Sequence, residues 1–116
     1  MPVTIFHNPR CSKSRQTLAL LEDRGVAPEI VRYLETPPDA ATLRRILGLL
    51  GLEARALLRP KEAVYKELGL GDPGLGEDDL IRAMVENPIL IERPIVVAGD
   101  RAALGRPPEA VLEILP

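Results

Sequence analysis

A single cysteine, Cys11, lies in a polar, turn-forming and cationic segment that directly precedes a predicted helix. A thiol at the start of a helix faces unpaired backbone N–H groups and the positive end of the helix dipole, and both favour the thiolate. A lone cysteine in an arbitrary chain more often fills core space. Here the surrounding sequence, His7-Asn8-Pro9-Arg10-Cys11-Ser12-Lys13-Ser14, favours a nucleophile instead.

His7 and Ser14 flank this cysteine and are candidates for tuning its thiol. A protonated His7 would stabilise a thiolate, a neutral one would accept the thiol proton, and the sequence leaves both roles open. A histidine beside a strand end is also often purely structural. Ser14 lies three residues after Cys11, so on a helical turn its hydroxyl would either reach the sulfur or cap backbone N–H groups.

Three arginines stand directly before prolines, each at the junction of two predicted elements: Arg59-Pro60, Arg93-Pro94 and Arg106-Pro107. Arginine presents a planar fork of donors that stays charged, which suits tetrahedral oxyanions such as phosphate or arsenate. Any one of them alone is more often a solvated surface residue. Together with a thiol at a helix start, the three favour an oxyanion site.

The composition excludes several other classes of site. One Cys and one His form neither an intrachain disulfide nor a Cys/His zinc site, so we expect no metal. With 15 basic and 17 acidic side chains the net charge is −2, which predicts neither nucleic acid nor membrane as a partner. No apolar run approaches the roughly 20 residues that span a bilayer, and no signal peptide is evident. We therefore expect a cytoplasmic protein, with a monomer as the default.

The elements that position these residues begin with a β-α-β pattern. Residues 3–6 predict a buried strand, a helix follows Cys11 and ends near Gly25, and residues 29–34 predict a second strand. The helix between the two strands favours parallel pairing. Cys11 therefore lies in the loop between the first strand and the first helix.

An all-helical stretch follows, and the chain then returns to strands. Asp39 caps a helix that ends at Gly51, and shorter helices are predicted at 54–58, 61–68 and 77–86. The segments 89–91 and 95–97 predict an apolar β-type run, and residues 102–104 predict a returning strand. A last helix is predicted over residues 107–115. The predicted order is therefore β-α-β, helices, then β-β-α, which is an α/β fold. A chain of 116 residues is long enough for one such domain.

Taken together, four segments resemble the glutaredoxin-coupled arsenate reductases of the ArsC family. They are residues 7–14, Arg55-Ala56-Leu57-Leu58-Arg59, Asn87-Pro88-Ile89-Leu90-Ile91 and Arg93-Pro94-Ile95-Val96-Val97. The resemblance covers nearly the whole chain in the same order. It implies a single thioredoxin-like domain over residues 1–116, with three layers, a helical insertion at about 39–87 and a cis bond between Arg93 and Pro94.

The same resemblance implies roles for the candidate residues. Cys11 would be the nucleophile, His7 and Ser14 would tune its thiol, and the oxyanion would be bound by Arg59, Arg93 and Arg106. Reduction of arsenate to arsenite takes two electrons and hence two thiols, whereas this chain has one. The family supplies the rest from glutathione and glutaredoxin, so we expect these as partners and no tightly bound cofactor.

Related groups leave two alternatives open. One is a thiol or disulfide reductase of the same fold that acts on another substrate. The other is a non-enzymatic protein, such as an Spx-like regulator that binds RNA polymerase, in which the helical insertion binds a partner and Cys11 is a sensor or idle. Such regulators typically carry Cys-x-x-Cys, but the fourth position here is Ser14. That difference, and the presence of Arg106, favour the enzyme.

Overall fold

The computed structural model describes residues 2–115, whose contacts divide into two compact units. The first unit contains the residues up to Thr36 together with those from Arg93 onward, and it carries the β-sheet. The second unit, Pro37–Glu92, is helical. It extends the predicted insertion of 39–87 by a few residues at each end. That both units form a single domain over residues 1–116 stays a prediction.

The sheet of the first unit has four strands in the order β2-β1-β3-β4. They are β1 Val3–Phe6, β2 Glu29–Val31, β3 Ile95–Ala98 and β4 Arg101–Leu104. Strand β1 pairs in parallel with β2 and antiparallel with β3, which is antiparallel to β4. Helix α1, Ser12–Asp23, makes the crossover that a parallel pair requires. The arrangement confirms the α/β order predicted from the sequence pattern and the thioredoxin-like fold that the family resemblance implied.

Strand β2 is shorter than the predicted strand 29–34, because the chain turns directly after Val31. The N–H groups of Glu35 and Thr36 both donate to the carbonyl of Arg32 at 2.9 Å. This turn keeps residues 32–35 at the end of the sheet, next to the loop that follows β1: the His7 N–H donates to the Val31 carbonyl at 2.8 Å.

A hydrophobic core holds α1 and the C-terminal segment against the sheet of the first unit. Its fully buried members include Ile5, Leu21, Val96 and Val111. Burial of each such side chain stabilises the fold by about 1.5–3 kcal/mol relative to leaving it exposed. The C-terminal segment, Pro108–Ile114, is a 3₁₀ helix where a helix over 107–115 was predicted. Two successive prolines at its start lack N–H donors.

The helical unit contains α2 Ala40–Leu50, α3 Ala54–Leu57, α4 Ala63–Glu67 and α5 Glu77–Glu86. As predicted, Asp39 caps α2, its Oδ1 accepting the Thr42 N–H at 2.8 Å, and Gly51 ends it with a left-handed φ of 68°. No helix within residues 2–115 is both long and apolar enough to cross a bilayer.

The predicted strand at residues 89–91 is wrong, since Pro88–Leu90 forms a 3₁₀ helix. The N–H groups of Leu90 and Ile91 donate to the carbonyls of Asn87 and Pro88, three residues earlier, at 2.9 and 3.0 Å. Only Ile91 makes a β-bridge, with Leu58. Three consecutive apolar residues are compatible with either conformation, so the pattern alone did not separate them.

Candidate active site

Cys11 is the N-cap residue of α1, with an extended backbone (φ −94°, ψ 124°) and a half-buried side chain. Burial acts to raise the pKa of its thiol. The N–H groups of Ser14 and Lys13 and the guanidinium of Arg93 act in the opposite direction, and together they hold the pKa below its ordinary value. The start of α1 and one arginine thus favour the thiolate.

Hydrogen bonds within the loop between β1 and α1 fix the position of Cys11. Its N–H donates to the carbonyl of Asn8 at 3.0 Å, and the Arg10 N–H donates to Asn8 Oδ1 at 3.0 Å. Arg15 reaches back from α1, its Nη1 donating to the Pro9 carbonyl at 2.9 Å. Asn8 therefore organises the turn that presents the thiol, a role that the sequence analysis did not assign.

His7 and Ser14 are buried and bonded to each other, with 2.7 Å between Ser14 Oγ and His7 Nδ1. Ser14 Oγ also accepts the N–H of Asn8 at 3.0 Å. The Ser14 hydroxyl then donates its own proton to His7 Nδ1. In this arrangement the imidazole carries its ring proton on Nε2. Of the two roles considered for the Ser14 hydroxyl, capping of a backbone N–H is realised in the loop before Cys11.

Burial lowers the pKa of His7, and the positive charges of Arg32 and Arg15 lower it further. Both effects favour the uncharged imidazole over the imidazolium. Of the two protonation states left open by the sequence, this favours the neutral one, but Nδ1 already accepts the Ser14 hydroxyl and Nε2 carries the ring proton, so the ring is not arranged to accept the thiol proton. That His7 tunes the Cys11 thiol stays a prediction. The His7 ring then acts as the hydrogen-bond partner of Ser14. The positive charge near the thiol comes from arginines.

Arg93 and Arg106 come together beside Cys11 because of the hairpin formed by β3 and β4. Ile95 pairs with Leu104 in this hairpin, so the residues just before β3 and just after β4 meet at the same end. Arg106 Nε donates to the carbonyl of Arg93 at 2.8 Å, and its Nη2 lies 3.9 Å from the sulfur of Cys11. Both Arg93-Pro94 and Arg106-Pro107 are cis, the first as expected.

Gly105 permits the close approach of the two ends of this hairpin. Its N–H donates to the Pro94 carbonyl at 2.9 Å. A Cβ at this position would lie 2.7 Å from the ring of Pro94 and would overlap the hydroxyl of Thr17. The sequence analysis missed this residue, although a glycine directly before Arg106-Pro107 was a visible signal.

Arg59 belongs to the helical unit, where two carboxylates bind it. Its Nε lies 3.2 Å from Glu62 Oε2 and its Nη1 lies 2.7 Å from Glu92 Oε1. Burial acts to lower the pKa of Arg59, but the two glutamates raise it overall. Its predicted part in oxyanion binding stays a prediction. The sequence analysis missed both glutamates, although Glu62 lies three residues from Arg59 and Glu92 directly precedes Arg93.

The first unit thus combines an activated thiol with two guanidinium groups, which equips it to attack an electrophilic atom that carries negatively charged oxygens. Within residues 2–115, no cluster of three or more His, Cys, Asp or Glu side chains is arranged to hold a metal ion.

The sequence and the structure are similar to known proteins over nearly their full lengths. The chain matches the ArsC family over residues 6–114. It is 64% identical to the uncharacterized protein YfgD of Escherichia coli K12 over 97% of this chain and 96% of that protein. It is 54% identical to an arsenate reductase of Neisseria meningitidis serogroup B, over 97% of both chains. The solved arsenate reductase from Vibrio cholerae superposes with a TM-score of 0.97, at 59% identity, over 99% of this chain and 98% of that one.

Proposed function

The chain belongs to the ArsC family, and from this membership we propose that it is an arsenate reductase with Cys11 as the nucleophile. The observation that carries the proposal is the placement of two arginines at one thiol. Arg106 Nη2 lies 3.9 Å from the sulfur, and Arg93 lowers the pKa of that thiol. The relatives named arsenate reductase support arsenate as the oxyanion.

In the first step the Cys11 thiolate attacks the arsenic atom of arsenate. A bond forms between sulfur and arsenic, and one oxygen leaves as water after it takes up a proton. Arg93 and Arg106 donate charge-assisted hydrogen bonds to the remaining oxygens, whose negative charge would otherwise repel the thiolate. The product is a covalent adduct in which arsenic is still pentavalent.

In the second step glutathione supplies the missing thiol. Its thiolate attacks the sulfur of Cys11, and the electron pair of the sulfur–arsenic bond passes to arsenic, which leaves as arsenite. Two thiols have then given up two electrons, and Cys11 is left in a mixed disulfide with glutathione. Glutaredoxin and a further glutathione reduce this disulfide and restore the Cys11 thiol.

The test is arsenate-dependent oxidation of NADPH by the purified protein in the presence of glutathione, glutaredoxin and glutathione reductase. We expect turnover by the wild type and by a Ser12→Ala control. A Cys11→Ser variant, which keeps the shape of the side chain but replaces the thiolate by an un-ionised hydroxyl, should lose this turnover.

A Cys11→Ser variant that still turned over would remove Cys11 from the mechanism. Absence of activity from folded protein with a reduced Cys11 would contradict arsenate as the substrate. It would favour the thiol or disulfide reductases of the same family.

A further inference from the structure

A cleft of about 260 Å³ opens beside the loop that carries Cys11, and the proposed reaction leaves it without a role. One wall is formed by residues 7–10, and the other by Arg32, Leu34 and Glu35. Ligand pockets typically measure about 300–1,000 Å³, so this cleft suits a small molecule or one part of a larger one. Its lining includes the charged Arg10, Arg32 and Glu35, and Leu34 adds an exposed apolar contact.

The position of the cleft follows from the sheet. Residues 7–10 follow β1 and residues 32–35 follow β2, and because these strands are parallel their carboxyl ends lie at the same edge. Open α/β sheets bind ligands outside the carboxyl ends of their strands. The Asn8 carbonyl, on one wall of the cleft, accepts the N–H of Cys11 at 3.0 Å. A ligand in the cleft therefore contacts the same turn of the backbone that carries Cys11.

The charged side chains that line the cleft do not pair with one another. Arg10, Arg32 and Glu35 are exposed, and none of them forms a salt bridge anywhere in residues 2–115. In the helical unit, by contrast, Arg59 is bound by two carboxylates. Two cations and one anion around a small cavity are complementary to a ligand with two carboxylates and one ammonium group. A bare oxyanion has no cationic group to pair with Glu35, whereas an ammonium group pairs with it.

We propose that this cleft binds the peptide portion of glutathione, with Arg10 and Arg32 receiving its two carboxylates and Glu35 its ammonium group. The inference rests on the proposed function, in which a peptide thiol must reach the sulfur of Cys11. A tripeptide held by its charged groups at this edge directs its cysteine along the 7–10 loop toward the Cys11 adduct. Arg93 and Arg106, the arginines proposed to bind the oxyanion, do not line this cleft.

Binding is measured without arsenate, so that it does not depend on turnover. Backbone amide shifts of ¹⁵N-labelled wild-type protein are followed during titration with S-methylglutathione, whose blocked sulfur cannot react. We expect saturable shifts at residues 7–10 and 32–35. Absence of saturable shifts there, or shifts confined to another surface, overturns the proposal.

Variants test the assigned charges. Arg32→Ala should raise the dissociation constant of S-methylglutathione by about three- to fivefold, as for exposed ion pairs, and Arg32→Glu should raise it further. Glu35→Gln should also raise this dissociation constant. Arg32→Lys, which keeps the positive charge, should raise it less than Arg32→Ala does. Arg82→Ala, an exposed arginine on α5, is the matched control and should change nothing. Equal affinities for all of these proteins overturn the proposal.

Kinetics separate this subsite from the reductase itself. Arg32→Ala and Glu35→Gln should raise the KM for glutathione and leave the KM for arsenate unchanged. Turnover with a KM for glutathione that neither variant moves overturns the subsite and leaves the reductase standing. The protein could also bind S-methylglutathione at residues 7–10 and 32–35 in a charge-dependent way and yet fail to reduce arsenate. That result supports the glutathione subsite and contradicts the proposed reductase activity.

Discussion

The lowered pKa of the Cys11 thiol depends on groups from two distant parts of the chain. The N–H groups of Ser14 and Lys13 belong to the same helix as the thiol, but Arg93 lies some eighty residues further along. Half-burial opposes these groups by raising the pKa. A thiolate at this position is therefore sensitive to the loss of a single cation.

We predict that Arg93→Ala raises the pKa of Cys11, because the variant loses a positive charge and a hydrogen bond that favour the thiolate. The rate of alkylation by iodoacetamide, measured as a function of pH, should show its midpoint at higher pH than in the wild type. Arg101→Ala, which replaces the exposed first residue of β4, is the control and should leave the midpoint in place. The same midpoint in all three proteins would contradict the contribution of Arg93.

The buried pair of His7 and Ser14 predicts a stability difference between two serines of α1. Ser14→Ala removes the partner of His7 Nδ1 and of the Asn8 N–H, and a buried polar group left without a partner costs about 1–3 kcal/mol. Ser12→Ala, at the exposed start of the same helix, should change the free energy of unfolding by less than about 0.5 kcal/mol. Urea denaturation measures both, and equal effects would rule out a structural role for the Ser14 hydroxyl.

His7 also predicts how stability depends on pH. Because its pKa is lowered in the folded protein, the unfolded chain takes up the proton first as the pH falls below about 6.5. The stability that His7 contributes is therefore complete above that pH and is lost progressively below it, toward its lower folded-state pKa. Unfolding free energies at pH 7.5 and 5.5 should differ less in His7→Gln than in the wild type. An equal difference would contradict the lowered pKa.

At the scale of elements, the β3–β4 hairpin brings the oxyanion-binding candidates to the thiol. Two arginines that lie 13 residues apart in sequence flank the open end of one antiparallel pair. The cost of this arrangement is that the Thr17 hydroxyl and the Pro94 ring leave no room for a side chain at Gly105. Specific local packing, and not only residue type, therefore determines where Arg106 points.

Gly105→Ala should destabilise the protein by about 1–3 kcal/mol, since the added methyl overlaps Thr17 and the Pro94 ring. It should also impair arsenate turnover, because Arg106 is the next residue. Gly48→Ala is the matched control: its Cβ meets no atom within 4 Å and it lies within α2, so it should stabilise the fold by up to about 1 kcal/mol. Thermal or urea unfolding of both variants distinguishes the two glycines, and a neutral Gly105→Ala would contradict the crowding.

Elements with strong local signals could be predicted from sequence, and those without them could not. Helix α2 has an Asp cap, an apolar stripe and a glycine stop, and the structure has it where these signals predict it. The 3₁₀ helix Pro88–Leu90 and the early end of β2 were missed. Both depend on turns in which N–H groups find carbonyls three or four residues earlier, and such turns leave little trace in apolar periodicity.

At the scale of the whole molecule, the net charge of −2 gives no general attraction for anions, so the proposed capture of an oxyanion depends on the local arginines. The single cysteine sets a second limit. One chain supplies one thiol, and two thiols are needed to reduce arsenate. The proposed activity is thus incomplete without another molecule.

We predict that reduced protein mixed with arsenate yields no catalytic turnover until glutathione is added. With glutathione but without glutaredoxin, intact-protein mass spectrometry should detect Cys11 carrying one glutathionyl group, the expected product of the second step. Cys11→Ser should carry none. Repeated turnover by the protein alone would contradict the requirement for an external thiol.

Residue types and local patterns alone establish the chemical inventory: one thiol before a helix, one histidine, three arginines directly before prolines, and a β-α-β pattern followed by helices. These follow from residue type and local periodicity, which act over a few neighbouring residues. The tertiary structure decided which of them meet. It joined His7 to Ser14, and it placed Arg93 and Arg106 at the sulfur because the two ends of an antiparallel hairpin coincide. It also opened a cleft between two loops that only parallel pairing of β1 and β2 brings side by side.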